Sequence, residues 1–143
     1  MPLIRERVAD GQSVKFAPKG TSMLPMLRQG VDTVELSPFS GKLEKYDLPL
    51  YQRDNGQYVL HRIIAVGETY TCIGDNQFAS EPGLRHDQMI ALVTAFTRDG
   101  KRIEVTAPGY QCYCRFWCTT RPVRHLWRGG VGLLKRLVRR CLK

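Results

Sequence analysis

Between Val31 and Val105 the chain is a succession of short runs that alternate polar and apolar residues, each stopped within a few positions by a turn signal. Val31-Asp32-Thr33-Val34-Glu35-Leu36 alternates and gives way to a turn from Pro38 to Gly41. Leu48-Pro49-Leu50-Tyr51 extends, Asp54-Asn55-Gly56 marks a hairpin, and Tyr58 to Val66 reads as one long strand. Tyr70-Thr71-Cys72-Ile73 is read as pairing back towards Gly74-Asp75-Asn76-Gln77. Two further strands, from Ile90 to Phe96 and from Arg102 to Val105, flank the Asp99-Gly100 turn. Successive side chains of a strand point to opposite faces, so runs of period two each bury one face, and Asn-Gly and Asp-Gly pairs reach the backbone angles of tight hairpins. With no long central helix among them, these runs predict a mainly β fold of short strands.

The flanks read differently. Leu3 to Gln12 is a short helix, followed by a strand at Ser13-Val14-Lys15-Phe16-Ala17 that Pro18 and Gly20 end. Met23, Leu24, Met26 and Leu27 form a short apolar turn or helix closed by Gly30. Beyond Pro108-Gly109 the segment from Tyr110 to Thr120 is aromatic and cysteine-rich, and Val123 to Lys143 is a C-terminal amphipathic basic helix. On a helical wheel Leu126, Trp127, Val131, Leu133, Leu134, Leu137, Val138, Cys141 and Leu142 fill one half. Arg128, Lys135, Arg136, Arg139, Arg140 and Lys143 fill the other. Gly129, Gly130 and Gly132 each cost about 1 kcal/mol of helix propensity, so a break near them, or a helix that forms only on a surface, is expected. The division is a peptidase-like β unit over 1–108 and a segment over 109–143 that either joins the same single domain or serves as a surface-binding tail.

A chain of 143 residues with 43% hydrophobic content supports one packed core. No stretch approaches the roughly 20 apolar residues that span a bilayer, and Met1 to Arg7 has no secretory apolar region, which predicts a cytoplasmic chain. Five cysteines fit a reducing compartment, and Cys112, Cys114 and Cys118, spaced Cys-x-Cys-x3-Cys without a fourth ligand, read as half-buried thiols on a strand rather than a metal site. The net charge of +9 is uneven: through Gly100 there are 11 Lys and Arg against 12 Asp and Glu, and from Lys101 onward 11 against Glu104 alone. Such asymmetry points the C-terminal region at an anionic surface. Nucleic acid is disfavoured, because the first hundred residues are neutral and no aromatic-basic motif accompanies the tail.

Three residues supply a chemistry. A serine hydroxyl is a poor nucleophile until a base within hydrogen-bond reach takes its proton and a third group holds that base in the right tautomer. Ser22, on a bent loop between Gly20 and Pro25, His61 and Asp75 can fill these roles, with backbone N–H groups around Ser22, helped by Thr21, as oxyanion donors. Each also has an ordinary use: Ser22 can cap the turn that follows it, His61 can sit half-exposed on a strand, and Asp75-Asn76 can be a turn pair.

The blocks Gly20-x-Ser22-Met23-x-Pro25, Tyr46-Asp47-Leu48-Pro49-Leu50-Tyr51, Tyr58-Val59-Leu60-His61-Arg62-Ile63-Ile64 and Ile73-Gly74-Asp75-Asn76 fall in one order over roughly residues 13 to 95. In order and spacing they resemble type I signal peptidases and the SOS-repressor autopeptidases that share their fold. His61-Arg62 is similar to the endoplasmic-reticulum and archaeal type, in which histidine replaces the lysine base. The resemblance implies a Ser22–His61 enzyme with Asp75 supporting the base and Asp87 as a second candidate acid. Tyr46 stands where the family has glycine before Asp47, and Gly20-Thr21-Ser22 lacks a hydroxyl two residues before the nucleophile. The expectation is therefore a relative without the N-terminal membrane anchor of true signal peptidases.

These readings predict a serine endopeptidase that cleaves a peptide precursor or leader in the cytoplasm, without cofactor or metal. The segment 123–143 either contacts the inner membrane surface or folds onto the domain's own sheet. The other reading is a non-enzymatic or self-cleaving regulatory β module that recruits a partner or anionic surface by its basic helix.

Overall fold

The computed structural model describes residues 2–141 and holds two antiparallel sheets followed by two helices. After helix α1 (Pro2–Ala9) come β1 (Val14–Phe16), β2 (Thr33–Ser37), β3 (Pro49–Gln52), β4 (Tyr58–Leu60), β5 (Arg62–Val66), β6 (Tyr70–Ile73), β7 (Glu81–Leu84), β8 (Met89–Arg98) and β9 (Lys101–Glu104). Helices α2 (Pro108–Thr119) and α3 (Arg121–Cys141) complete the described residues, so this β-rich fold carries as much helix as strand. The first sheet runs β1-β2-β8-β3-β4, with β9 also on β8, and the second runs β5-β6-β7.

Period two explains how the layers meet. On β3 and β4, Leu50 and Leu60 turn to one core with Val34, Leu36, Val93, Phe96 and the Met26 turn, while Tyr51 and Val59 turn to a second core with Ile63, Tyr70, Cys72 and Leu84. The β3–β4 ribbon is therefore buried on both faces, which is why Leu48-Pro49-Leu50-Tyr51 is apolar without alternation. Its hairpin closes as expected: Arg53 N–H donates to the Gln57 carbonyl at 2.8 Å, and Gly56 takes φ +86°.

Four expectations need correction. The run from Tyr58 to Val66 is two strands in two sheets: Leu60 pairs with Leu50 and Arg62 with Ile73, so the chain changes sheet at His61. Strand β6 pairs not with residues 74–77 but with β5 and with β7, whose Glu-Pro-Gly-Leu sequence has the composition of a turn. Residues 110–119 are helix, not strand; Tyr110, Cys114 and Trp117 recur at helical spacing, and Tyr110 and Cys114 enter the first core. Cys112 is exposed, Cys118 half-buried, and all five cysteines are free thiols. Finally, the break, one of the two outcomes expected at Gly129, Gly130 and Gly132, is not found, since α3 runs unbroken through them. The predicted end of that helix, Leu142 and Lys143, lies outside the described residues.

Candidate active site

Ser22 lies in the turn between β1 and β2. Gly20 takes φ +92°, a left-handed angle that a β-carbon disfavours, and so bends the chain into it. Leu24 N–H donates to the Thr21 carbonyl and Leu27 N–H to the Met23 carbonyl, while buried Met23, Met26 and Leu27 pin the turn to the core. Among the described residues no protein acceptor takes the N–H of Ser22 or of Met23.

The Gly74-Asp75-Asn76 block docks on this turn. Asn76 N–H donates to the Ser22 carbonyl at 2.8 Å, and Asn76 Nδ2 to the Thr21 carbonyl at 3.2 Å. Gly74 has to be glycine, because a β-carbon there would meet the Ser22 carbonyl oxygen at 2.6 Å. Gly74→Ala should therefore lower stability by about 1–3 kcal/mol and displace Ser22, as read by urea denaturation. An unchanged midpoint would mean that the contact yields without strain.

His61 sits at the sheet change, held on either side by ladder residues Leu60 and Arg62, and is 4% exposed. His61 and Ser22 both line one cleft of about 230 Å³, together with Lys19, Arg53, Tyr58 and Gln77. The partner of His61 is Tyr51 rather than Asp75 or Asp87: Nδ1 lies 3.2 Å from the Tyr51 hydroxyl, which donates to Glu81 Oε2 at 2.8 Å. Arg53 clamps Glu81 with two bonds, Nε to Oε1 and Nη2 to Oε2, both 2.8 Å.

This chain of contacts selects a tautomer. The single proton of Tyr51 is directed to Glu81, so its oxygen can only accept from His61, and Nδ1 must carry the hydrogen. Nε2 is then the unprotonated nitrogen, the form a general base requires. Charge keeps the chain in that state. The Arg53 guanidinium holds the Glu81 carboxyl below its ordinary range, with Tyr51 helping, against the cost of burial. Burial above all pushes Tyr51 well above an ordinary phenol. Burial, aided by the charge of Arg53, pushes His61 down to about 4, against the pull of Glu81 and Asp75, so the imidazole is neutral at physiological pH.

Asp75 has a different partner. Arg62 Nε and Nη2 each donate to one of its carboxylate oxygens at 2.9 Å, and both side chains are buried. Tyr113 donates to Asp75 Oδ2 at 2.9 Å and Trp117 Nε1 to its carbonyl at 2.8 Å, both from α2. The remaining Arg62 nitrogen meets the Tyr110 hydroxyl at 2.9 Å and Cys114 Sγ at 2.8 Å. Asp87 is exposed on the short 3₁₀ turn His86–Gln88 and pairs with Arg85.

Sequence reasoning thus missed Tyr51, Arg53 and Glu81. Alternation could have flagged only Tyr51, an aromatic hydroxyl on a strand buried on both faces. Among the described residues no group of three or more His, Cys, Asp or Glu could hold a metal ion. No protein-family model and no curated protein matches the chain.

Proposed function

We propose that the chain is a serine endopeptidase, with Ser22 as nucleophile and His61 as base. The observation that carries this reading is the cleft shared by Ser22 and a buried histidine whose Nδ1 is committed to Tyr51. In the proposed reaction the Ser22 hydroxyl oxygen adds to a peptide carbonyl while its proton passes to Nε2 of His61. The imidazolium then returns that proton to the departing amine, and water, activated by the same nitrogen, hydrolyses the ester. The N–H groups of Ser22 and Met23, without acceptors among the described residues, are suited to the oxyanion.

Two further observations support the resemblance to type I signal peptidases. Tyr46 takes φ +78°, the left-handed region that favours glycine, at the position where the family has glycine. One edge of the first sheet is β4, and Tyr58, Val59 and Leu60 line the cleft, so an extended peptide could add there as a further strand. The proposed substrate is such an extended precursor or leader segment with small side chains at the cut.

The test is covalent capture. Incubation with a fluorophosphonate or a peptide aldehyde, followed by intact mass measurement, should yield one adduct in the wild type and none in Ser22→Ala, with His61→Ala strongly slowed. An adduct that survives Ser22→Ala, or none in the wild type with any of these reagents, would favour the regulatory module that only recruits a partner.

A further inference from the structure

The helix α3 is 21 residues long and contains seven Lys and Arg and no Asp or Glu. At 100° per residue its cations fall on one half of the wheel and its large apolar side chains on the other. The domain grips the charged half. Arg124 stacks on the Trp117 ring at 3.5 Å and donates to the Trp117 carbonyl, His125 packs edge-on against Phe78 with centroids 4.5 Å apart, and Arg128 reaches Asn76 Oδ1 at 3.3 Å. None of the residues of α3 is buried. Leu126 is 74% and Trp127 75% exposed, and Val131, Leu133, Leu134, Leu137 and Val138 are exposed beyond them.

Ordinary amphipathic helices lay the apolar half on their own domain and leave the charges in water. Here the attachment is reversed at the root, and the apolar side is left without a cover. A protein partner is one way to cover such a strip, but cations border it at the root and over the last turns of the helix, with no carboxylate on the helix to oppose an anionic surface. Mean helical rise makes α3 about 30 Å long, and no helix among the described residues is long and apolar enough to cross a membrane.

We propose that α3 binds an anionic lipid bilayer in the plane of its interface, with Leu126, Trp127, Leu133, Leu134 and Leu137 among the acyl chains and Lys135, Arg136, Arg139 and Arg140 at the headgroups. Trp127 suits the boundary, since its indole is apolar with one N–H to offer. Because the helix root bears on Asn76 and Phe78, the segment that carries α3 is also the one bonded to the Ser22 turn. Lipid binding therefore tethers the cleft to the bilayer, whether or not that cleft is catalytic.

The full chain is mixed with vesicles of phosphatidylcholine alone and of phosphatidylcholine with phosphatidylglycerol, and partitioning is followed by co-sedimentation and Trp127 fluorescence. Binding to the anionic vesicles is expected, with a blue shift that Trp127→Phe abolishes and a loss of affinity at high salt. Each cation removed should weaken partitioning about fivefold, so Arg136→Gln with Arg139→Gln should lose roughly 25-fold. Leu133→Gln with Leu134→Gln should release the protein even at low salt. Self-association without lipid, equal binding to both vesicles, or binding that survives both double variants would overturn the proposal. An unchanged melting temperature in each variant verifies that the domain itself is intact.

Discussion

Asp75→Asn should lower the stability of the fold by about 3–5 kcal/mol, which for a chain of this size moves its melting temperature down by about 10 °C or more. Its carboxylate takes two bonds from Arg62 and one from Tyr113, in a site where the Asp75 and Arg62 side chains are 1% and 0% exposed. Asparagine keeps the shape but removes the charge and turns an amide NH₂ towards donors. Arg62 is then a buried cation with no anion, since its other partners are the Tyr46 carbonyl, the Tyr110 hydroxyl and the Cys114 and Met26 sulfurs. Removing both charges, with Asp75→Leu and Arg62→Leu together, should be less damaging than the two single losses added, because the orphan charge goes too. Denaturant titration of the four proteins measures the coupling. A folded Asp75→Asn of wild-type stability that had lost only activity would instead return Asp75 to the support of His61.

That reassignment marks where the sequence could be followed and where it could not. The Gly74-Asp75-Asn76 block stands out from the residues alone, and the Ser22 turn it touches stands out as well. What one dimension hides is which atoms of the block do the touching: the Asn76 amide and the missing β-carbon of Gly74 meet the serine turn, while the carboxylate faces away to α2. The break at His61 was hidden for a related reason. Tyr58 to Val66 is β-prone throughout, and nothing local in Leu60-His61-Arg62 announces a change of sheet; Arg62 is paired by tertiary contacts with α2, some fifty residues on. Helix α2 was hidden by composition, since Tyr, Phe and Trp favour strands, although Tyr110, Tyr113, Cys114 and Trp117 keep a helical spacing that buries one face. Glu81 had the weakest signal of all. It is an acidic residue before Pro82-Gly83, twenty positions from His61, and only the pairing of β7 with β6 brings it to Tyr51.

For the proposed peptidase reaction, Tyr51→Phe and Glu81→Gln should each leave a folded protein whose kcat is down by about 100-fold or more, the low end of what a correctly poised base contributes. Phenylalanine fills the same space but offers Nδ1 no acceptor, so the imidazole loses the bond that places its hydrogen there and exposes Nε2 as the base. Glutamine at 81 no longer demands the Tyr51 proton, and that proton is free to turn to His61 and favour the opposite tautomer. The pH dependence separates this role from mere packing. With His61 at about 4, kcat/KM of the wild type should rise through that pH as the imidazolium deprotonates, and level off about one unit above it. Glu81 and Asp75 pull the histidine upward while burial and Arg53 push it downward, so Glu81→Gln removes the larger of the two upward pulls. The rising limb should therefore move to lower pH while the plateau falls. Histidine NMR across the same range locates the proton directly, and the wild type should show Nδ1–H and a bare Nε2. A rising limb near the ordinary histidine value of about 6.5, or plateaus untouched in both variants, would remove Tyr51 and Glu81 from the machinery and leave them as core residues.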